Sequence, residues 1–170
     1  MMVDAADPLA QLPLLEGLDA DEFLAITKRL NREQYPAGTK VLEEGYGGLK
    51  LYVLIEGRVK VFRNMGRSQL LITTLDPPET FGEISIIDGG PASATVEAET
   101  DVVVLTLLRD EFYDIAHGSW TIQAKLYKNL LHTMCQRIRA TTNQVQDYFA
   151  INQALCENEN FRKFYKLFIV

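Results

Sequence analysis

The sequence predicts an α+β protein, an antiparallel β sandwich or roll set between short N-terminal helices and one long C-terminal helix. Three observations carry this. From Glu33 to Leu108 the apolar residues follow a period of two, interrupted at short intervals by turn residues. On both sides of that stretch the period lengthens to that of a helix. The chain has 170 residues, 47% hydrophobic and 24% charged, which suits one domain with a real core.

Residues 8–30 read as helical and amphipathic, with Pro13 to Leu18 a turn between two short pieces. Asp19 to Glu22 supplies N-cap candidates and early acidic charge. Phe23, Leu24, Ile26, Thr27 and Leu30 follow at helical spacing, so this helix packs on a β core. Tyr35 to Thr39 is a turn, Lys40 to Glu43 a strand, and Glu44 to Gly48 a glycine-dense turn. Leu49–Ile55 and Arg58–Arg63 flank Glu56-Gly57, which predicts a hairpin, since glycine supplies the positive φ such turns need. Asn64 to Ser68 is the next turn, Gln69 to Thr73 the next strand, and Thr73 to Pro78 another turn. Ser93 to Ala98 is of β type. Val102 to Leu107 is almost wholly apolar and suits full burial.

Helical spacing returns at Arg109. Arg109 to His117 is a short helix stopped by Gly118, and Ser119 is the N-cap candidate of a long one over about 119–149. Ile122, Leu126, Leu130, Met134 and Ile138 recur every four residues, with Val145 and Phe149 beyond. Such a stripe is too long for packing on one small β body alone and predicts pairing with another helix.

The chain is organised around Phe81 to Val96, FGEISIIDGGPASATV. Phe81-Gly82-Glu83 follows a turn and opens a short apolar run, Ile84 to Ile87, which Asp88-Gly89-Gly90-Pro91 ends. A glycine before a one-turn helix leaves backbone N–H groups pointing outward, where free donors and helix dipole attract an anion. Glu83 sits in that turn, where its carboxylate can accept hydrogen bonds from sugar hydroxyls. The residues therefore predict a small phosphate–sugar cradle in a β protein.

This stretch resembles the phosphate-binding cassette of the cyclic-nucleotide-binding domain family, which includes the catabolite-activator-like regulators. The opening matches at Phe81, Gly82 and Glu83, and the closing half at Ser93, Ala94, Thr95 and Val96. The Pro-Leu-Leu-Glu-Gly-Leu run also resembles the family's usual entry before its first helix, and Gly38, Gly45 and Gly57 fall where its eight-stranded jelly roll makes its turns. Two departures stand out. Ala92 occupies the position of the family's arginine, and Tyr46-Gly47-Gly48 replaces the acidic residues often found after the second glycine.

The resemblance implies a ligand, cyclic AMP or cyclic GMP, held by Gly82, Glu83, Ile84, Ser85, Ala92, Ser93 and Ala94. Glu83 would bind the ribose 2′-hydroxyl, the N–H groups from Gly82 to Ser85 the cyclic phosphate, and Ser93 would add a hydroxyl and its own N–H. Thr95, Thr141 and Thr142 are possible base contacts, the last two from the dimer helix. No other cofactor is implied. The missing arginine removes a charge-assisted bond to phosphate, the strong kind. The alternative implied is a degenerate fold that no longer binds cyclic mononucleotides and serves as a dimeric protein-interaction module or binds another nucleotide.

Several function classes are disfavoured. His117 and His132 both fall in predicted helices, away from any strand site for a metal. No nucleophile elbow, P-loop or HExxH occurs, and neither Ser85 nor Ser93 has a histidine beside it, so an enzyme is not expected. Cys135 and Cys156 lack ligand spacing and read as free thiols. A net charge of −6 without a basic stripe makes a poor partner for nucleic acid. No apolar stretch approaches a membrane span, and the acidic N-terminus lacks a signal pattern, so a cytoplasmic protein is expected. The domain is expected over 1–149, including the dimer helix, followed by a basic, aromatic tail at 150–170. That tail is too short for a helix-turn-helix module, and is expected to pack on the same dimer. The expectation is a stand-alone, homodimeric sensor acting on an unknown protein partner.

Overall fold

The computed structural model describes residues 8–158 apart from Arg67. Contacts gather the chain into two compact units, one up to Leu130 and one from Leu131. The first opens with two 3-10 turns, Pro8–Gln11 and Pro13–Leu15, and α1 (Ala20–Thr27). Asp19 caps α1 as expected: its carboxylate accepts the N–H groups of Asp21 and Glu22, and Glu22 reaches back to the Asp19 N–H. The strands are β1 (Asn31–Tyr35), β2 (Lys40–Leu42), β3 (Lys50–Glu56), β4 (Val59–Met65), β5 (Ser68–Leu75), β6 (Glu79–Phe81), β7 (Thr95–Ala98) and β8 (Val102–Leu108). Between β6 and β7 lies α2 (Glu83–Asp88), and α3 (Arg109–Gly118) and α4 (Trp120–Glu157) follow β8.

Two antiparallel four-stranded sheets form the roll, in the orders β1-β8-β3-β6 and β2-β7-β4-β5. Their facing sides enclose one apolar cluster, with Tyr52, Leu54, Val59, Phe81, Val96, Val102 and Val104. A second cluster lies between the outer face of the first sheet and the helices. It joins Leu51, Val53 and Leu107 to Leu14, Ile26, Ile86, Phe112, Ile115, Ile122, Leu126 and Leu130. Strand β3 thus buries both faces, which is why it reads as an almost unbroken apolar run. Two polar side chains of α4 pin the N-terminal turns and α1. Asn129 donates to the carbonyls of Leu14 and Glu16 at 3.0 and 2.9 Å, and Lys125 pairs with Glu22 at 2.5 Å.

The roll corrects one expectation. Strands β3 and β4 do not form a hairpin; they lie in different sheets. The Glu56-Gly57 turn carries the chain across, and Arg58 beyond it is bound to the β7–β8 connection. Its N–H donates to Thr100 Oγ1 at 2.9 Å and its carbonyl accepts from Glu99 at 2.8 Å. A turn signal fixes that the chain reverses but not which edge it joins, and β3, apolar on both faces, needs the centre of a covered sheet. The hairpin is instead β4–β5. Strands β1 and β6 have no counterpart in the sequence reading, because β1 is largely polar and β6 is three residues long.

In α4 the expected stripe divides. Ile122, Leu126 and Leu130 are buried in the first unit's core, as packing on the chain's own body requires. Among the residues of the second unit, Leu131, Ile138, Val145, Tyr148, Phe149, Ile151 and Leu155 are exposed in the single chain. Cys135 and Cys156 are free, exposed thiols. No helix among the described residues is long and apolar enough to cross a membrane. The tail at 161–170, with its expected docking, lies outside the described residues.

Candidate ligand site

Gly82 is the N-cap of α2, with φ +82° and ψ 2°. The left-handed backbone there costs an L side chain about 1–2 kcal/mol, and a Cβ would sit 2.7 Å from the Lys50 carbonyl oxygen and 3.1 Å from the Tyr52 ring. Only glycine fits. The residue before it is placed by stacking: the Phe81 ring lies parallel to Tyr52, centroids 4.8 Å apart. Two residues after Ile84, Ile86 is fully buried and anchors α2 in the helix-side core. These contacts leave Glu83 and Ser85 enclosed, at 4% and 2% exposure, while Ile84 faces outward. The helix has six residues, so its capacity for an anion rests on individual N–H groups more than on a macrodipole.

The closing half is held in another way. The Ala92 N–H donates to the Tyr46 carbonyl at 2.8 Å and the Ala92 carbonyl accepts from the Gly45 N–H at 2.9 Å, with Gly47 bridged to Pro91. The loop of Tyr46-Gly47-Gly48 is therefore strapped down on the cassette, and Gly48 lies against Ser85. Ala92 is buried beneath it, Ser93 is exposed, and Ala94 is buried. Thr95 is fully enclosed, and its hydroxyl accepts from the Glu44 N–H at 3.1 Å, a strut between strand and loop. Glu44 accepts in turn from the Asn64 N–H and from Arg63, in that order the causes that hold its carboxyl below the ordinary carboxylate value.

A polar cluster lies on the same sheet as Lys50. The Glu33 carboxylate accepts from Lys50 Nζ at 2.6 Å, from Thr106 Oγ1 at 3.0 Å and from the Tyr35 hydroxyl. Burial opposes ionisation of Glu33, but the bonds from Lys50, Tyr35 and Thr106 outweigh it and hold its carboxyl low. Burial, then the bond to Glu33, pushes the Tyr35 hydroxyl well up.

Gly82 to Ser85 and Ala92 to Thr95 thus form one corner of the first unit. Thr141 and Thr142 belong to the second unit. Their hydroxyls donate to the carbonyls of Arg137 and Ile138, one turn back in the same helix, at 2.9 Å each. Sequence reasoning missed Gly45 and Tyr46, which strap the corner, and Arg109 and Tyr113 of α3, which bond to α2. All four are distant in sequence from what they touch, and no local pattern announces them. Among the described residues no group of three or more His, Cys, Asp or Glu is placed to hold a metal ion.

A family model described as the cyclic nucleotide-binding domain matches residues 32–119. The chain is 34% identical over 142 residues to the CRP-like cAMP-activated global transcriptional regulator of Mycobacterium tuberculosis, covering 82% of this chain and 61% of that protein. It is 34% identical over 101 residues to the cyclic AMP receptor protein of Thermus thermophilus, covering 59% of this chain and 47% of that one. The chain thus spans less than two thirds of the length of these relatives. Among solved structures, the Thermus thermophilus catabolite activator protein superposes with a TM-score of 0.70 at 29% identity, over 84% of this chain and 65% of that one.

Proposed function

The chain belongs to the cyclic nucleotide-binding domain family, and we propose that it is a regulatory sensor whose corner at Gly82–Ser85 and Ala92–Ala94 takes a cyclic mononucleotide. One observation carries the reading: the Gly82 turn, which only glycine can make, holds the Glu83 carboxylate inside the corner. In this reading Glu83 accepts a ribose hydroxyl, the N–H groups from Gly82 to Ser85 face the phosphate, and exposed Ser93 adds its hydroxyl. Ala92 offers no cation, and its N–H is already taken by Tyr46. A charge-assisted bond is worth about 1.5–3 kcal/mol, so the site binds about 10–100-fold more weakly than one with arginine there. Cyclic AMP is the first candidate, because both relatives, the cAMP-activated regulator and the cyclic AMP receptor protein, are named for it; cyclic GMP is the second.

The output in this reading is a population shift in which the ligand favours one arrangement of α2, α3 and α4, and a partner reads the change. The distal part of α4 supplies a dimer seam. Leu131, Ile138 and Val145 recur every seven residues, with Met134, Thr141, Tyr148 and Leu155 three residues behind. Branched Ile138 and Val145 at one heptad position, and Asn152 at the next such position, suit two parallel strands. Thr141 and Thr142 remain base-contact candidates in such a dimer, since a donating hydroxyl still accepts. The net charge of −6 argues against a nucleic-acid partner, and a cytoplasmic setting belongs to the same reading.

A second reading, a degenerate corner serving protein interaction or another nucleotide, is favoured by Ala92 alone, which is buried with both backbone groups bonded to the loop. Calorimetric titration with cyclic AMP and cyclic GMP separates the two. Binding that Glu83→Ala abolishes supports the sensor; no heat up to saturating ligand supports the degenerate corner. Sedimentation of Ile138→Asp tests the seam, with loss of dimer expected.

A further inference from the structure

We infer that Arg109 and Tyr113 are the transmitting pair of this protein: from α3 they grip the carbonyl end of α2, so that a displacement of α2 is passed to the helix that leads into α4. The inference rests on the reading of the α2 corner as the ligand site and names the residues through which that site acts.

The last carbonyls of a helix have no partner within it. In α2 those of Ile86 and Ile87 are taken by α3. Ile86 O accepts from Arg109 Nε at 3.0 Å and from the Tyr113 hydroxyl at 3.2 Å, and Ile87 O also accepts from that hydroxyl at 3.2 Å. The guanidinium lies over the Tyr113 ring, 4.9 Å from its centroid, so each side chain fixes the other. A cation at a helix C-terminus is also favoured by the partial charge there. The C-cap, Gly89, leaves the room: a Cβ at that position would lie 3.1 Å from a guanidinium nitrogen.

Arg109 is the first residue of α3, and its own N–H donates to the Leu49 carbonyl at 2.8 Å, next to the Gly48 that presses on Ser85. On the other side of α3, Phe112 and Ile115 are buried in one cluster with Leu126 and Leu130 of α4. A continuous route therefore runs from α2 through Arg109 and Tyr113 to α3, and through Phe112 and Ile115 to the start of α4. Buried Ile86 touches the same cluster, but apolar contact is non-directional. The hydrogen bonds set the position of α3 along α2, which is what transmission of a small shift requires.

The single tryptophan, Trp120, opens α4 and is 86% exposed, so it reports at the end of this route. The full chain is titrated with cyclic AMP, reading heat and Trp120 fluorescence in wild type, Tyr113→Phe and Arg109→Gln, with Arg109→Lys as the variant that keeps the charge. Both substitutions should leave ligand heat in place while most of the Trp120 response is lost, with Arg109→Lys in between. A merely structural role would lower heat and fluorescence together, and that outcome overturns the inference. So does a wild type that binds with no Trp120 response, or variants that respond as the wild type does. If wild type gives no heat at all, the ligand reading fails, and amide exchange of the free protein tests the pair by itself. Tyr113→Phe should then raise exchange in both 83–90 and 109–118; a rise confined to 109–118 overturns it.

Discussion

The two halves of the candidate ligand corner are built by different physics. Where the opening half begins, at Phe81 and Gly82, sterics decide: a left-handed glycine wedged against the Lys50 carbonyl, a stacked Phe81, and Ile86 sunk in the core beyond them. In the closing half, Ala92 to Val96, hydrogen bonds decide: Ala92 strapped to Gly45 and Tyr46, and Thr95 strapped to Glu44. The difference teaches where a sequence speaks about ligand and where it speaks about fold. Phe81 and Gly82 are demanded by the turn whether or not anything binds. At position 92 the backbone hydrogen bonds do the holding, and the buried methyl group offers nothing that could meet an anion.

The largest expected effect breaks the opening half. Gly82→Ala must strain the left-handed backbone and push against Lys50, which together should cost about 3 kcal/mol of stability. Urea denaturation reads it directly. A loss below about 1 kcal/mol would mean the turn relaxes and the opening half is no more rigid than the closing one.

Next comes the substitution that restores the family's cation. Ala92→Arg should tighten cyclic AMP about 10–100-fold in calorimetry, the worth of one charge-assisted bond. In the free protein it should lower stability by about 1–3 kcal/mol, because a buried slot must admit a charge. The two signs oppose each other, and that opposition identifies a ligand residue. A destabilised protein with unchanged affinity would make position 92 a matter of packing.

The fold was legible in the residues where local chemistry and tertiary place agree. The period-two stretch, the Asp19 cap, the Gly82 turn and the short α2 all follow from neighbours in sequence. Topology was legible only in part. Glu56-Gly57 announces a reversal, but the partner of β3 is set by what covers its two faces, which no turn residue encodes. Strand β1 escaped notice because Glu33 and Tyr35 are polar and are held by a network with Lys50 and Thr106 from other strands. In the corner, the Gly82 turn and the short helix after it could be read, while the strap from Tyr46 and the grip of Arg109 and Tyr113 could not. Those depend on side chains and carbonyls brought together across tens of residues.

A smaller effect sharpens the closing half. Thr95→Val keeps shape but leaves the Glu44 N–H without the hydroxyl that accepts it, which should cost about 1–2 kcal/mol. Amide exchange should rise at 44–48 and 92–96 and stay unchanged at 83–88, if the two halves are held independently. Equal loosening of 83–88 would join them into one unit.

The smallest effect is a pH dependence that reaches the opening half from beneath, because Lys50 both abuts Gly82 through its carbonyl and pairs with Glu33 through Nζ. Glu33 is held below its ordinary value of 4.5 in the folded chain, so the folded state keeps this group ionised where the unfolded chain has begun to bind a proton. Its contribution is present above pH 4.5 and is lost as pH falls through the lower folded value. Tyr35 has the opposite sign. Its hydroxyl is held protonated above its ordinary 10.0, so its contribution is present below pH 10.0 and lost as pH rises beyond it. Melting temperature should therefore fall at both ends, and Glu33→Gln should flatten the acid limb without touching the alkaline one. Tyr35→Phe should flatten the alkaline limb while also weakening the acid one, since it removes one of the bonds that hold Glu33 low. A Glu33→Gln variant with an unaltered acid limb would assign that limb to other carboxylates and detach the floor of the roll from the behaviour of the Gly82 turn.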